Sequence, residues 1–145
     1  MLSDPSKSRP LAANYIVGGK RPLSSISTTI VEYLSNNSFY FAIGAAGGSR
    51  IITSTVQNLW NVLDRNMTTA QALKMPRLHD QLIPSVTSFE TTYDNTTVAF
   101  MEEHGHNVSW VAPGQSTAQG LRLLPNGTFE AAGEPRQLNS LGAVI

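Results

Sequence analysis

Cysteine is absent from all 145 residues, which excludes disulfides, thiolate metal ligands and a cysteine nucleophile. Charge is scarce and balanced: 14% of residues are charged, and ten Lys+Arg against ten Asp+Glu leave a formal net charge of zero. Such a chain has no electrostatic footprint for nucleic acid or an anionic membrane surface. No apolar run approaches the about 18 residues of a membrane-spanning helix. The first ten residues, MLSDPSKSRP, are polar and proline-punctuated, without the apolar stretch of an export signal. Internal repeats and low-complexity blocks are missing too. What is present is 41% hydrophobic residues, in a length that suits one domain or a piece of a larger one. A chain of this size can bury roughly 68–70% of its unfolded surface.

Sequons, by contrast, are plentiful. Five Asn-x-Ser/Thr triplets begin at Asn36, Asn66, Asn95, Asn107 and Asn126. The ten Asn and 28 Ser+Thr of this chain would give about two at random. The excess points to the secretory pathway; the plain alternative is a Ser/Thr-rich sequence in which such triplets arise easily. Sequons without an export signal suggest a chain that has lost its natural beginning.

Residues 1–13 read as a loose leader and residues 14–145 as the folded region. The β-branched, partly alternating residues 25–33, SISTTIVEY, predict a strand. Residues 39–43, FYFAI, have no polar face and predict a strand buried on both sides, joined to the first as a hairpin through Asn36-Asn37. A glycine-rich run over residues 44–50 then leads into a helix expected over residues 51–66. Its apolar residues Ile52, Val56, Leu59, Trp60 and Leu63 recur at spacings of 4, 3, 1 and 3, a stripe expected to face the core. Trp110 is expected inside as well. Asn66-Met67-Thr68 breaks the helix, and Thr68 or Thr69 caps a shorter one running through Leu73. Residues 76–90 read as extended with a strand near 86–90, and Asp94 caps a helix that ends at His104-Gly105. Residues 107–111 form a further strand, and residues 120–124 and 128–131 flank Pro125-Asn126-Gly127 as a hairpin. The last ten residues look irregular. Hairpins mixed with helices predict an α+β fold.

Two short stretches can carry chemistry. Gly47-Gly48-Ser49-Arg50 lies between a strand and a long helix. Without Cβ atoms, successive glycines let backbone N–H groups gather in one concavity, and the helix behind adds partial positive charge. That arrangement suits a phosphate, a carboxylate or a developing oxyanion; it serves equally as a tight turn that needs glycine for packing. The run matches neither a P-loop nor the dinucleotide fingerprint, and the sequence has no G-x-S-x-G nucleophile elbow. The second stretch, Lys20-Arg21-Pro22-Leu23-Ser24-Ser25, sets two adjacent hydroxyls after a proline-stiffened bend, able to hydrogen-bond a carboxylate or simply to begin a solvated strand. His79, His104 and His106 lack metal-ligand spacing, and His104 reads as a helix-end residue.

Read together, these strings resemble the γ-glutamyltranspeptidases. The segment GKRPLSSISTTIV at residues 19–31 is similar to the family's G-K-R-P-L-S-S-M-S-P-T-I-V, and GAAGGSRII at residues 44–52 to its G-x-x-G-G-S-R-I-I. Pro76-Arg77-Leu78-His79 resembles the family's P-R-F/L-H, and Glu103-His104-Gly105-His106 its late G-H segment. The likeness spans about residues 14–135, in the family's order. It implies part of an N-terminal-nucleophile hydrolase αββα sandwich, with antiparallel sheets and flanking helices, from the C-terminal portion of the small subunit. It also implies cleavage of the γ-glutamyl amide of glutathione by a Thr hydroxyl, with the Thr α-amino group as base, and transfer of the acyl group to water, an amino acid or a dipeptide. By motif, Ser24 and Ser25 would bind the glutamyl α-carboxylate, and Gly47 and Gly48 would supply oxyanion-hole N–H groups. The resemblance calls for no cofactor or metal.

The departures are specific. Ile26 stands where the family pattern has methionine, an apolar replacement of similar size, and Thr28 stands where it has proline, which frees φ just past the serines. The nucleophilic Thr of the pattern lies upstream of Lys20 and is not matched here; Thr28 and Thr29 sit inside the expected strand. Asp4 does not match the acidic segment that grips the substrate amino group, and the large-subunit Arg has no counterpart. The expectation is a chain inactive alone, whose partners are the large subunit and the rest of the small subunit. Its compartment would be secretory, extracellular, vacuolar or membrane-associated through the missing part. Two further readings of the same residues are a non-catalytic module that binds γ-glutamyl or other carboxylates, and a structural glycoprotein domain.

Overall fold

β-Branched and aromatic residues alternating about a short Asn-Asn turn make a hairpin at the front of the chain. In the computed structural model, which describes residues 15–144, this hairpin is β1 (Thr29–Glu32) and β2 (Phe39–Ala46). The leader expected over residues 1–13 lies outside the described residues. The turn is closed by the Tyr33 N–H donating to Ser38 O at 2.9 Å, with Asn37 at φ 55°. The first strand is shorter than the β-branched run suggested, because its ladder starts only at Thr29; β2 is longer and continues to Ala46. On its other side β2 pairs with β6 (Thr117–Leu123), and β6 with β7 (Phe129–Ala132), giving an antiparallel sheet of order β1-β2-β6-β7. Gly127, at φ 83°, forms the expected hairpin turn between β6 and β7.

α1 (Arg50–Leu63) and α2 (Thr69–Lys74) cover one face of this sheet. Phe41, Ile43 and Ala118 meet Val62, Ala72 and Leu73 there, and all six are buried. Gly120 lies opposite Ile43, and a Cβ at Gly120 would come within 2.7 Å of the Thr69 side chain, so a residue without one lets α2 sit close. The second face of the sheet carries the C-terminal segment, where Leu141 and Gly142 lie against Ala131 and Ala132. β2 is therefore not buried on both sides as its apolar run suggested: Phe41 and Ile43 are fully buried, whereas Tyr40 and Ala42 are half-buried.

A second sheet holds β3 (Leu78–His79), β4 (Thr87–Glu90) and β5 (Val108–Val111). β3 and β4 are antiparallel, but β4 and β5 run parallel, because α3 (Asn95–Glu103) takes the crossover connection that parallel neighbours require. α3 begins as expected, with the Asp94 carboxylate accepting from Thr97 N, and ends at His104 with Gly105 at φ 88°.

The orientation of α1 reverses the expectation. Ser54, Thr55, Asn58, Asn61 and Val62 are the buried residues, while Ile52, Val56 and Trp60 are each half or more exposed. The polar face has specific partners. Ser27 Oγ donates to Thr55 Oγ1 at 3.3 Å, Asn58 Nδ2 to Ser54 O at 2.8 Å, and the Gln57 amide both donates to Leu78 O (2.7 Å) and accepts from Leu78 N (3.0 Å). Short side chains let α1 lie close to the sheet; Ile52, Val56, Trp60 and Leu63 are turned outward, while Leu59 packs against the core as expected. Trp110, on β5, is also exposed rather than core.

Candidate active site

The turn from β2 into α1 depends on its two glycines for different reasons. Gly47 has φ 137°, and a Cβ there would meet Gln115 O at 2.9 Å and Ser116 Cα at 3.0 Å. Gly48 has φ 61° with open space around it. Their carbonyls are engaged by the first turn of the helix: Arg50 N donates to Gly47 O and Ile51 N to Gly48 O, each at 3.2 Å. Their amides donate to no turn or loop acceptor among the described residues, and both residues are exposed. α1 has no acidic residue in its first turn, and its N-cap Ser49 makes no side-chain capping bond. The partial positive charge of the helix start is thus not neutralised by its own side chains, and the glycine N–H groups can serve an anionic oxygen.

Two contacts fix the first turns of α1 to the second sheet. Arg50 Nη1 donates to Ser88 Oγ at 3.0 Å, and Thr53 Oγ1 lies 2.8 Å from His79 Nδ1. His79 Nε2 lies 3.1 Å from Gln81 Oε1. The Gln81 NH2 group donates to Ile83 O at 2.9 Å, which leaves its oxygen facing the ring. Buried with both nitrogens partnered, His79 is a structural residue.

Beneath Gly47, the Gln115–Ser116 backbone rests on a four-membered ionic cluster. Arg77 Nη1 donates to Ser116 O at 2.8 Å, and Arg77 Nη2 pairs with Glu134 Oε2 at 2.8 Å. Glu134 is fully buried and also accepts from Ala118 N at 2.8 Å. Arg136 pairs with Glu134 at 3.0 Å and grips Glu90 with two bonds of 3.0 and 2.6 Å. Glu90 in turn accepts from Arg77 N at 2.9 Å. Burial pushes the Arg77 guanidinium below its ordinary value, with Glu134 opposing the shift. Burial alone would raise the Glu134 carboxyl, but Arg77, then Ala118 N–H and Arg136, outweigh it and hold the group below its usual range. The cluster has two charges of each sign and joins both sheets. Of its members only Arg77 stood in a recognisable string; Glu134 and Arg136 pair two residues apart, but their ties to Arg77 and Glu90 span 57 and 46 residues of chain.

Ser24 and Ser25 lie in the extended segment ahead of β1, not inside a ladder. Ser24 Oγ accepts from Ile26 N at 3.1 Å, which leaves its hydroxyl proton to donate, and Ser25 is half-buried. The β1–β2 register pairs Thr29 with Ile43. Carried back one residue it sets Thr28 beside Gly44, where Thr28 Oγ1 would lie 3.5 Å from an added Cβ. The ladder ends there, and no contact between Ser24 or Ser25 and Gly47 or Gly48 is found among the described residues. Lys20 and Arg21 are exposed ahead of the serines. His104 caps α3, its Nδ1 2.7 Å from Phe100 O, and His106 is exposed. A cleft of about 880 Å³, lined by Trp60, Arg65, Pro76 and Tyr93 among others, includes neither the glycines nor the serines.

Comparison with known proteins places the chain in a family. The family model described as gamma-glutamyltranspeptidase matches residues 2–144. The chain is 52% identical over 137 residues to the glutathione hydrolase proenzyme of Arthroderma benhamiae, and 44% identical over 135 residues to the glutathione hydrolase of Aspergillus flavus. These matches cover 94% and 93% of this chain but 23% of each relative, so the chain spans about a quarter of their length. Among solved structures, a gamma-glutamyltranspeptidase variant from Helicobacter pylori superposes with a TM-score of 0.78 at 33% identity, covering 88% of this chain and 69% of that one. A gamma-glutamyltranspeptidase from Pseudomonas nitroreducens gives 0.79 at 27% identity, covering 99% and 74%.

Proposed function

The chain belongs to the γ-glutamyltranspeptidase family, and from that premise we propose that it supplies the carboxylate-binding and oxyanion-stabilising part of an enzyme that cleaves the γ-glutamyl amide of glutathione. A Thr hydroxyl from a segment outside this chain attacks the γ-carbonyl carbon and passes its proton to the Thr amino group. The carbonyl oxygen becomes an oxyanion as the bond forms. The Gly47 and Gly48 N–H groups stabilise that charge where it develops, aided by the start of α1. Collapse of the intermediate expels the amine with the proton and leaves a γ-glutamyl ester. Water, an amino acid or a dipeptide then takes the acyl group. Ser24 and Ser25 donate to the α-carboxylate and set the γ-carbon in place. The large subunit and the remainder of the small subunit complete the site.

One observation carries this reading: the two glycine carbonyls are turned into α1 while their amides keep no turn or loop acceptor among the described residues. The test is release of anilide from a γ-glutamyl anilide by the complete protein. Gly47→Pro removes a donor and distorts the turn, and is expected to lower kcat by at least about 10²-fold. Ser24→Ala with Ser25→Ala is expected to raise KM far more than it lowers kcat. Glutamate binding without turnover in the complete protein would instead favour a carboxylate-binding module, and unchanged kinetics in both variants would remove these residues from the site.

A further inference from the structure

The γ-glutamyl reading leaves the five sequons unexplained, and the structure sorts them. At Asn36, Oδ1 accepts from Ser38 N at 3.0 Å and from Ser38 Oγ at 2.7 Å. At Asn126, Oδ1 accepts from Thr128 N at 3.1 Å and from Thr128 Oγ1 at 2.7 Å. The two sites share one arrangement, in which the sequon asparagine is bound by the amide and the hydroxyl of its own third residue. A backbone N–H can only donate, so the atom facing it is the oxygen and the NH2 group is the one left over. Among the described residues neither NH2 group has a hydrogen-bond acceptor, and both asparagines are exposed at hairpin turns.

The other three triplets are committed elsewhere. The Thr68 hydroxyl in the Asn66 triplet accepts from Gln71 N as the cap of α2. The Thr97 hydroxyl in the Asn95 triplet donates to Asp94. Asn107 itself spends its Nδ2 on Ser85 O at 3.1 Å. Hydrogen bonds to Oδ1 draw electron density off the amide nitrogen and make its N–H more acidic, which favours glycosyl transfer to that atom. These turns are closed within three residues, so they can form in a chain not yet folded.

We propose that Asn36 and Asn126 are N-glycosylation sites and that Asn66, Asn95 and Asn107 are not. Transfer joins Asn Nδ2 to the anomeric carbon of an oligosaccharide carried on a lipid pyrophosphate. The bond from that carbon to the pyrophosphate breaks, the lipid pyrophosphate leaves, and the amide gives up one proton. Both sites stand at one end of the first sheet, where the Phe39 and Phe129 rings lie 5.9 Å apart. The glycine turn follows the opposite end of β2, whose eight residues span about 26 Å at roughly 3.3 Å each. The glycans therefore crowd one edge and leave Gly47 and Gly48 open. The proposal is independent of the γ-glutamyl reading, because its readout is mass alone.

The experiment is peptide mass spectrometry on the protein from its own cells, before and after enzymatic removal of N-glycans. Asn36 and Asn126 are expected to be glycosylated in most molecules and the other three in few. Ser38→Ala is expected to abolish the glycan at Asn36 only, and Thr128→Ala the one at Asn126 only. Any other distribution overturns the proposal: no glycan, a glycan at one of the pair, or comparable occupancy of a third site.

Discussion

Gly47 and Gly48 are adjacent, and both have positive φ, yet substitution should separate them. At Gly48 an alanine meets open space and loses only through its left-handed backbone, a cost of about 1–2 kcal/mol. At Gly47 the added methyl also meets the Gln115 carbonyl and the Ser116 backbone, which cannot swing aside like the tip of a long side chain. Gly47→Ala is therefore expected to lower the urea midpoint clearly more than Gly48→Ala. Arg77 behaves differently, because it supports that same backbone through charge. Arg77→Met leaves Glu134 buried without its main partner and should cost about 3–5 kcal/mol. Glu134 also sets an acid limit. Its carboxyl is held below its ordinary value of 4.5, so below that pH the unfolded chain binds a proton that the folded one resists. Its contribution is complete above about that value and is lost as pH falls through the lower, folded value. A pH series of urea melts should show stability falling there, with a shallower slope in Glu134→Gln; an equal slope would remove Glu134 as the cause. At this scale the sequence could single out the glycine pair and the serines as candidates, because each lies in one short string. Glu134 and Arg136 were illegible because two opposite charges two residues apart read as surface, and their burial follows from Arg77 and Glu90 far along the chain.

The helices show which local signals survive folding. Thr68 caps α2 through a reciprocal box with Gln71, each side chain taking the other's backbone N–H, and a four-residue pattern is enough to foresee it. Glu130 adds a long-range hold, accepting from Thr69 N at 2.9 Å and Thr69 Oγ1 at 2.6 Å. Because Glu130 still satisfies one amide, Thr68→Ala should cost about 1 kcal/mol rather than unfold α2, as a thermal melt can show. α1 is the opposite case. Periodicity located its apolar stripe but could not say what the stripe faces, and the short polar face took the sheet. Apart from Leu59, which packs against the core, the stripe therefore contributes little to the fold of this chain: Val56→Lys with Trp60→Lys should change unfolding free energy by no more than about 0.5 kcal/mol per site. A loss of several times that in urea melts would mean that the stripe is packed after all.

For the molecule as a whole, exposed apolar residues gather where more protein is to be expected. Ile52, Val56 and Trp60 line the outside of α1, Trp110 stands out from β5, and Ile30 lies exposed on edge strand β1. The relatives are about four times as long as this chain, which accords with these surfaces being covered in the complete protein. The α+β class and both antiparallel hairpins were legible from alternation and turn residues. Two sheets were implied by the family resemblance rather than by pattern, and the parallel pairing of β4 with β5 was not foreseen, because it depends on where α3 carries the chain. Patches of this kind drive association when left bare, and open strand edges add to it. By itself, then, the chain should elute from a sizing column above its 15.7 kDa monomer mass, bind a hydrophobic dye, and release no anilide from a γ-glutamyl anilide. The lysine pair at Val56 and Trp60 should shift it toward monomer without restoring turnover. A monomeric wild-type chain that melts sharply and binds no dye would show these faces to be finished surfaces, and turnover abolished by Gly47→Pro would show that the chain carries a complete site.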